Sequence, residues 1–186
     1  MNKRELGNRI SLIRKFRGIT QAELGIAIGF NPTNATVRMS QYESGMKKPK
    51  DDLLVEIAKQ LNCSPYNFIE ADNYLIYQIE LLFWQEENIK LPIWVTYNDT
   101  DTDADSDIDR DTVPNKNGKS PLVLTVSTSD PNKTEEDLAT ILKEWQKIKD
   151  KYISNKINFN KYFEWKITWP DNASNNIKQI IASYDD

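Results

Sequence analysis

Along the first seventy residues, apolar positions recur at helical spacing in short runs punctuated by glycine. Leu6, Ile10, Ile13 and Phe16 stand three or four apart, with Arg4, Arg9, Arg14 and Arg17 around them, so the pattern predicts an amphipathic helix over residues 4–17 that Gly18 stops. Thr20 followed three residues later by Glu23 has the spacing of a capping box and predicts a second helix over 21–28, ended by Gly29. The turn residues Asn31-Pro32-Thr33-Asn34 separate it from a third helix over 35–44 that Gly45 terminates. Asp51 is expected to cap a fourth helix with Leu53, Leu54, Ile57, Ala58 and Leu61 on one stripe, and residues 65–69 fit a short fifth. Five short helices imply a compact all-α domain over residues 1–70.

Residues 71–186 are patterned differently. The segment 74–89 predicts a longer helix with two apolar lines, Leu75, Ile79 and Leu82 on one and Tyr74, Tyr77, Leu81 and Trp84 on the other, and two such faces need two things to bury against. The β-branched and aromatic runs 93–97 and 122–126, bounded by Pro92 and Pro121, read as two strands forming a hairpin, which must lie on a helix or pair with another chain to be stable. Thr134 starts a helix carrying Leu138, Ile141, Leu142, Trp145, Ile148 and Tyr152 on one face. Phe159, Tyr162, Phe163, Trp165 and Trp169 predict an aromatic cluster over this core, and Ile177, Ile180, Ile181 and Tyr184 a docking tail helix. The expected fold is mainly α, with a small α+β second domain of helix, two-stranded hairpin and helix.

Between the strands, residues 98–120 form an acidic loop in which Asp occupies every second position of 99–111. The alternation begins like a calcium loop. It lacks the Gly at the sixth position, however, and Arg110, Thr112, Pro114 and Lys116 stand where the closing Glu would be. Mutual repulsion of the seven carboxylates makes a solvated connection the simpler reading.

Composition narrows the chemistry. Among 186 residues there is no His, a single Cys (Cys63) and six Gly. The missing imidazole removes Ser-His-Asp and Cys-His catalysis and His-based zinc sites. There is no Gly-x-x-x-x-Gly-Lys loop, no Gly-x-Gly-x-x-Gly turn, and no Ala-Gly or Cys-Gly bond of the kind self-cleaving regulators cut. A non-enzymatic protein without catalytic residues, metal or cofactor is expected. One Cys allows no internal disulfide, and no apolar run approaches the roughly 20 residues of a membrane span, so a cytoplasmic location without membrane contact is expected. The net charge of −4 hides an asymmetry: residues 1–50 hold ten basic against three acidic side chains, +7, leaving −11 for the remainder. A basic head on an acidic body is a layout suited to nucleic-acid binding by the head.

The run Thr20-Gln21-Ala22-Glu23-Leu24-Gly25, the later Met39-Ser40-Gln41-Tyr42-Glu43-Ser44-Gly45 and the fourth-helix pattern Leu53-Leu54 to Leu61 together resemble the helix-turn-helix of the Cro/C1-type (XRE) family of repressors. The resemblance covers residues 5–69. It implies a lambda-repressor-like DNA-binding domain whose third helix enters the major groove as part of a homodimer, hence a sequence-specific transcriptional regulator of the repressor kind. Thr36, Val37, Arg38 and Gln41 are then the base-facing candidates, Gln21 a phosphate contact and brace for the third helix, and Arg14, Arg17, Tyr42, Lys47, Lys48 and Lys50 phosphate contacts. Leu24, Ile28 and Met39 would form the buried hinge, with Gly25 where the family usually has Ala. The chain departs from the family pattern by about four extra residues at Asn31-Pro32-Thr33-Asn34, which lengthen either the turn or the third helix. Residues 71–186, with Glu144-Trp145-Gln146-Lys147 and Tyr162-Phe163-Glu164-Trp165, are similar to the C-terminal part of regulators from Firmicutes and their mobile elements, implying a dimerisation or accessory domain. The competing expectation is a protein-binding inhibitor or antirepressor that meets an unknown protein partner through residues 71–186 and uses the head for autoregulation.

Overall fold

The computed structural model describes residues 1–89, 93–98, 122–127 and 132–184. These form eight α-helices, one 3-10 turn and two strands, divided between two compact units. The first unit holds residues 1–72 and 167–173, the second residues 73–166 and 174–186.

In the first unit α1 (Lys3–Phe16), α2 (Gln21–Ala27), α3 (Ala35–Glu43) and α4 (Asp51–Gln60) precede a 3-10 turn, Pro65–Asn67, where a fifth helix was expected. Local chemistry sets these limits. Asn2 caps α1 by accepting from the Glu5 N–H, and the Thr20/Glu23 capping box of α2 closes in both directions. Gly18, Gly29, Gly45 and Asn62 follow α1 to α4 in the left-handed region, and at Gly18 and Gly29 the returning N–H groups take up carbonyls left over at the helix end. Asp51 does not cap α4. Lys50 holds the cap position without a side-chain bond, and Asp51 stands in the first turn, where its charge faces the positive helix end. Leu6, Ile10, Ile13, Leu24, Met39, Leu54, Ile57 and Leu61 are fully buried and make the core. Residues 167–173 join this unit through the Ile167 carbonyl, which accepts from Ser64 N–H and Asn67 Nδ2, both at 2.8 Å, and Trp169 is completely buried.

The second unit contains α5 (Tyr74–Ile89), β1 (Ile93–Asn98), β2 (Leu122–Ser127), α6 (Lys133–Ile153), most of α7 (Phe159–Thr168) and α8 (Asn175–Ala182). The strands pair in parallel, Ile93 opposite Leu122 through Asn98 opposite Ser127, which corrects the expected hairpin. Parallel pairing needs a connection of a dozen or more residues, and the 23 residues of 99–121 meet that length. That stretch, with the whole Asp-rich run, lies outside the described residues. α6 starts one residue earlier than expected, behind Asn132, which forms a capping box with Glu135. On α5, Trp84 is buried with Leu75, Ile79 and Phe83 and does not belong to the outward line, which is reduced to Tyr74, Tyr77 and Leu81. Trp169 belongs to the first unit, so the aromatic cluster expected over the second core loses it. Tyr162 and Phe163 remain buried there, and Phe159 is exposed.

Four charged side chains form a network inside the second unit. Lys149 meets Glu86 at 2.8 Å, and Lys166 meets Glu86 at 3.1 Å and Glu87 at 2.8 Å. Tyr162 Oη donates to Glu86 at 2.6 Å and accepts from Trp145 Nε1 at 2.9 Å. The network also holds β1, because Ile93 N–H donates to Glu86 and Lys149 Nζ donates to the Ile93 carbonyl. Burial alone would raise the Glu86 carboxyl, but the two ammonium groups and the donors around it outweigh that and bring it down to about 2. Burial pushes the Tyr162 phenol well above its ordinary value, and the Glu86 charge adds to the effect. Among the described residues no helix is long and apolar enough to cross a membrane.

Candidate nucleic-acid interface

The face implied by the resemblance depends on how α3 is held. Its inner side carries Ala35, Met39, Tyr42 and Glu43, all buried. Two close approaches seat it. A Cβ added at Gly7 of α1 would run into the carbonyl oxygens of Tyr42 and Glu43, and one added at Gly25 of α2 would lie 2.9 Å from the Cβ of Ala35. Small residues at these crossings let α3 pack against α1 and α2 nearly backbone to backbone.

Glu43 then ties the helices together. Its carboxylate accepts from Arg14 Nε at 2.5 Å and a second Arg14 nitrogen at 2.9 Å, and from Gln21 Nε2 at 2.9 Å. Burial would raise this carboxyl, but donors from Arg14, Gln21 and Ser11 together hold it below the usual carboxylate range. The same bond, against the cost of burial, fixes the Arg14 guanidinium more firmly in its charged form. Arg14 further donates to the Ile19 carbonyl at 2.6 Å.

This geometry divides the candidates. Arg14 is buried in the Glu43 tie, and Tyr42 is buried against Phe30, so neither is placed on the surface for a phosphate. Arg17 donates to the carbonyls of Leu61 and Asn62, both at 2.6 Å, where it closes the C-terminus of α4. Gln21 braces α3 through Glu43, as the resemblance implies. Thr36, Val37 and Arg38 are exposed, with Gln41 half-buried beside them, and Lys47, Lys48 and Lys50 are exposed beyond the end of α3. The four extra residues go into the turn: Asn31 accepts from Thr33 through its side chain and from Asn34 and Ala35 through its carbonyl, and α3 starts at Ala35.

No family model, no curated protein and no solved structure matches this chain. The reading of the face therefore rests on its own residues.

Two further residues, Glu43 and Phe30, shape the face. The motif does not single out Glu43, although it is the one acidic residue of α3, a signal for an internal ion pair. Phe30 follows the stop residue Gly29, and its backbone N–H closes α2 on the Gly25 carbonyl at 2.9 Å. The guanidinium of Arg38 lies 3.9 Å above its ring centroid. An aromatic residue just past a helix stop gives no periodic signal.

Proposed function

We propose that the protein is a sequence-specific DNA-binding regulator of the Cro/C1 kind, whose α3 enters the major groove and whose flanking lysines meet the backbone. The observation that carries this reading is the outer face of α3. Thr36, Val37 and Arg38 stand in solvent with Gln41 at their edge, on a helix fixed from behind by Arg14, Gln21 and Glu43. Those side chains offer a hydroxyl, a methyl-sized apolar contact, a guanidinium fork and an amide, the groups that read base edges. Lys47, Lys48 and Lys50 supply charge next to them, and the +7 of residues 1–50 supports attraction to a polyanion. Purified protein should shift duplex DNA from upstream of its own coding sequence at moderate salt, and should do so less with unrelated DNA. Equal shifts on both would reduce the function to charge-driven binding.

The protein acts as a homodimer in this proposal, so that two modest contacts read two half-sites. The exposed line Tyr74, Tyr77 and Leu81 on α5 supports an apolar contact with a second chain. The same line would serve a different protein partner under the inhibitor or antirepressor reading, and the mass of the purified protein in solution separates the two.

A further inference from the structure

Arg38 is exposed on the first turns of α3, yet its guanidinium is not left to wander. Its Cζ lies 3.9 Å over the centroid of the Phe30 ring, and Phe30 is itself anchored twice. The Phe30 backbone closes the end of α2, where Gly29 N–H bonds to the Ile26 carbonyl and Phe30 N–H to the Gly25 carbonyl, both at 2.9 Å. Its ring leans on the buried Tyr42 at 6.2 Å between centroids. Among the described residues no carboxylate pairs with Arg38.

From this arrangement we infer that Phe30 is a positioning residue that presents Arg38 as a planar fork for guanine O6 and N7. The inference rests on the proposed entry of α3 into the major groove. A guanidinium fork fits a phosphate as well as a guanine, and it is the place of Arg38 on the outer face of α3, beside Thr36 and Val37, that directs it to a base edge. Two parallel N–H groups aimed at the two acceptors of one guanine need the plane set in advance, and stacking on an aromatic ring both sets it and leaves the outer N–H edge free. Phe30 itself touches no base, so its effect reaches the DNA only through Arg38.

The test is a selection of bound sequences from random duplex DNA, followed by affinities for the chosen site and for single-base variants. The proteins are wild type, Arg38→Lys, Phe30→Leu, Phe30→Trp and the double variant Phe30→Leu/Arg38→Lys. Wild type should demand guanine at one position, with discrimination of about 10-fold or more. Arg38→Lys should lose it there and nowhere else. Phe30→Leu should lose much of it at the same position, Phe30→Trp should keep it, and Phe30→Leu should add nothing in the Arg38→Lys background. The inference is overturned if Phe30→Leu discriminates as wild type does while Arg38→Lys does not. It is also overturned if Arg38→Lys keeps the guanine preference and the salt dependence of wild type, as a charge-conserving change at a phosphate contact would. A wild type that selects no sequence would overturn the proposed function itself, an outcome visible before any variant is compared.

Discussion

Glu43 concentrates the physics of the first unit in one carboxylate. It is nearly buried, as is Arg14, and each removes the cost of burying the other. Glu43→Ala would leave the Arg14 guanidinium inside without its counter-charge, and a loss of about 3 kcal/mol or more in denaturant unfolding is expected. A loss under about 0.5 kcal/mol would place the pair in solvent. The pH dependence follows from the direction of its shift. Because the folded carboxyl titrates below its unfolded value of about 4.3, it contributes stability above that value. That contribution disappears as pH falls through the lower folded value, so the gap between wild type and Glu43→Gln should narrow under acid. The partner could not be read from the sequence, because Arg14 and Glu43 are 29 residues apart and no periodicity links them.

Helix boundaries were legible at the capping box of α2 and at the glycine stops, and were missed by a residue at Asn2 and Asn132, where an asparagine is the cap. Thr20 and Glu23 close the capping box that their spacing predicts, and Gly18, Gly29 and Gly45 stop their helices with positive φ. What was not legible was pairing across distance. The runs at 93–98 and 122–127 read as strands from composition alone, but a 23-residue connection does not fix their direction, and they run parallel. The spacing of α2 and α3 was half legible: the resemblance put Gly25 where a small residue is usual, and only the geometry shows how close the helices come. Gly25→Ala should gain about 1 kcal/mol of helix propensity and lose more to the collision with Ala35, where both side chain and backbone would lie within about 3 Å, so the melting temperature should fall. A rise would mean that α3 yields easily. In the second unit, the polar positions Glu86, Lys149 and Lys166 were unremarkable among many charged residues, yet they hold α5, β1, α6 and α7 together. Glu86→Gln leaves two buried ammonium groups with one carboxylate and should cost about 3 kcal/mol. Unfolding followed by tryptophan fluorescence checks this, since Trp145 lies against Lys149, and an unchanged midpoint would refute it.

For the whole molecule, the proposed function gives nucleic acid to the first unit, which carries the basic residues 1–50, and protein contact to the second. Tyr77 and Leu81 are exposed on α5, and their replacement, unlike that of the buried Trp84, tests the contact without disturbing a core. Tyr77→Glu with Leu81→Lys should turn a dimer into a monomer of unchanged helicity, read by sedimentation and circular dichroism. A wild type already monomeric at the concentrations that bind DNA would remove the dimer from the account. The central claim is that the outer face of α3 reads bases, and Gln41 is well placed to test it, half-buried beside Arg38 and two residues past the buried Met39. The direct measurement is selection of bound sequences from random duplex DNA by wild type and by Gln41→Ala. The account predicts a defined sequence for wild type and, for the variant, the same sequence relaxed at one position, with about 1 to 3 kcal/mol lost there. Identical preferences for both proteins, or none for either, would contradict it.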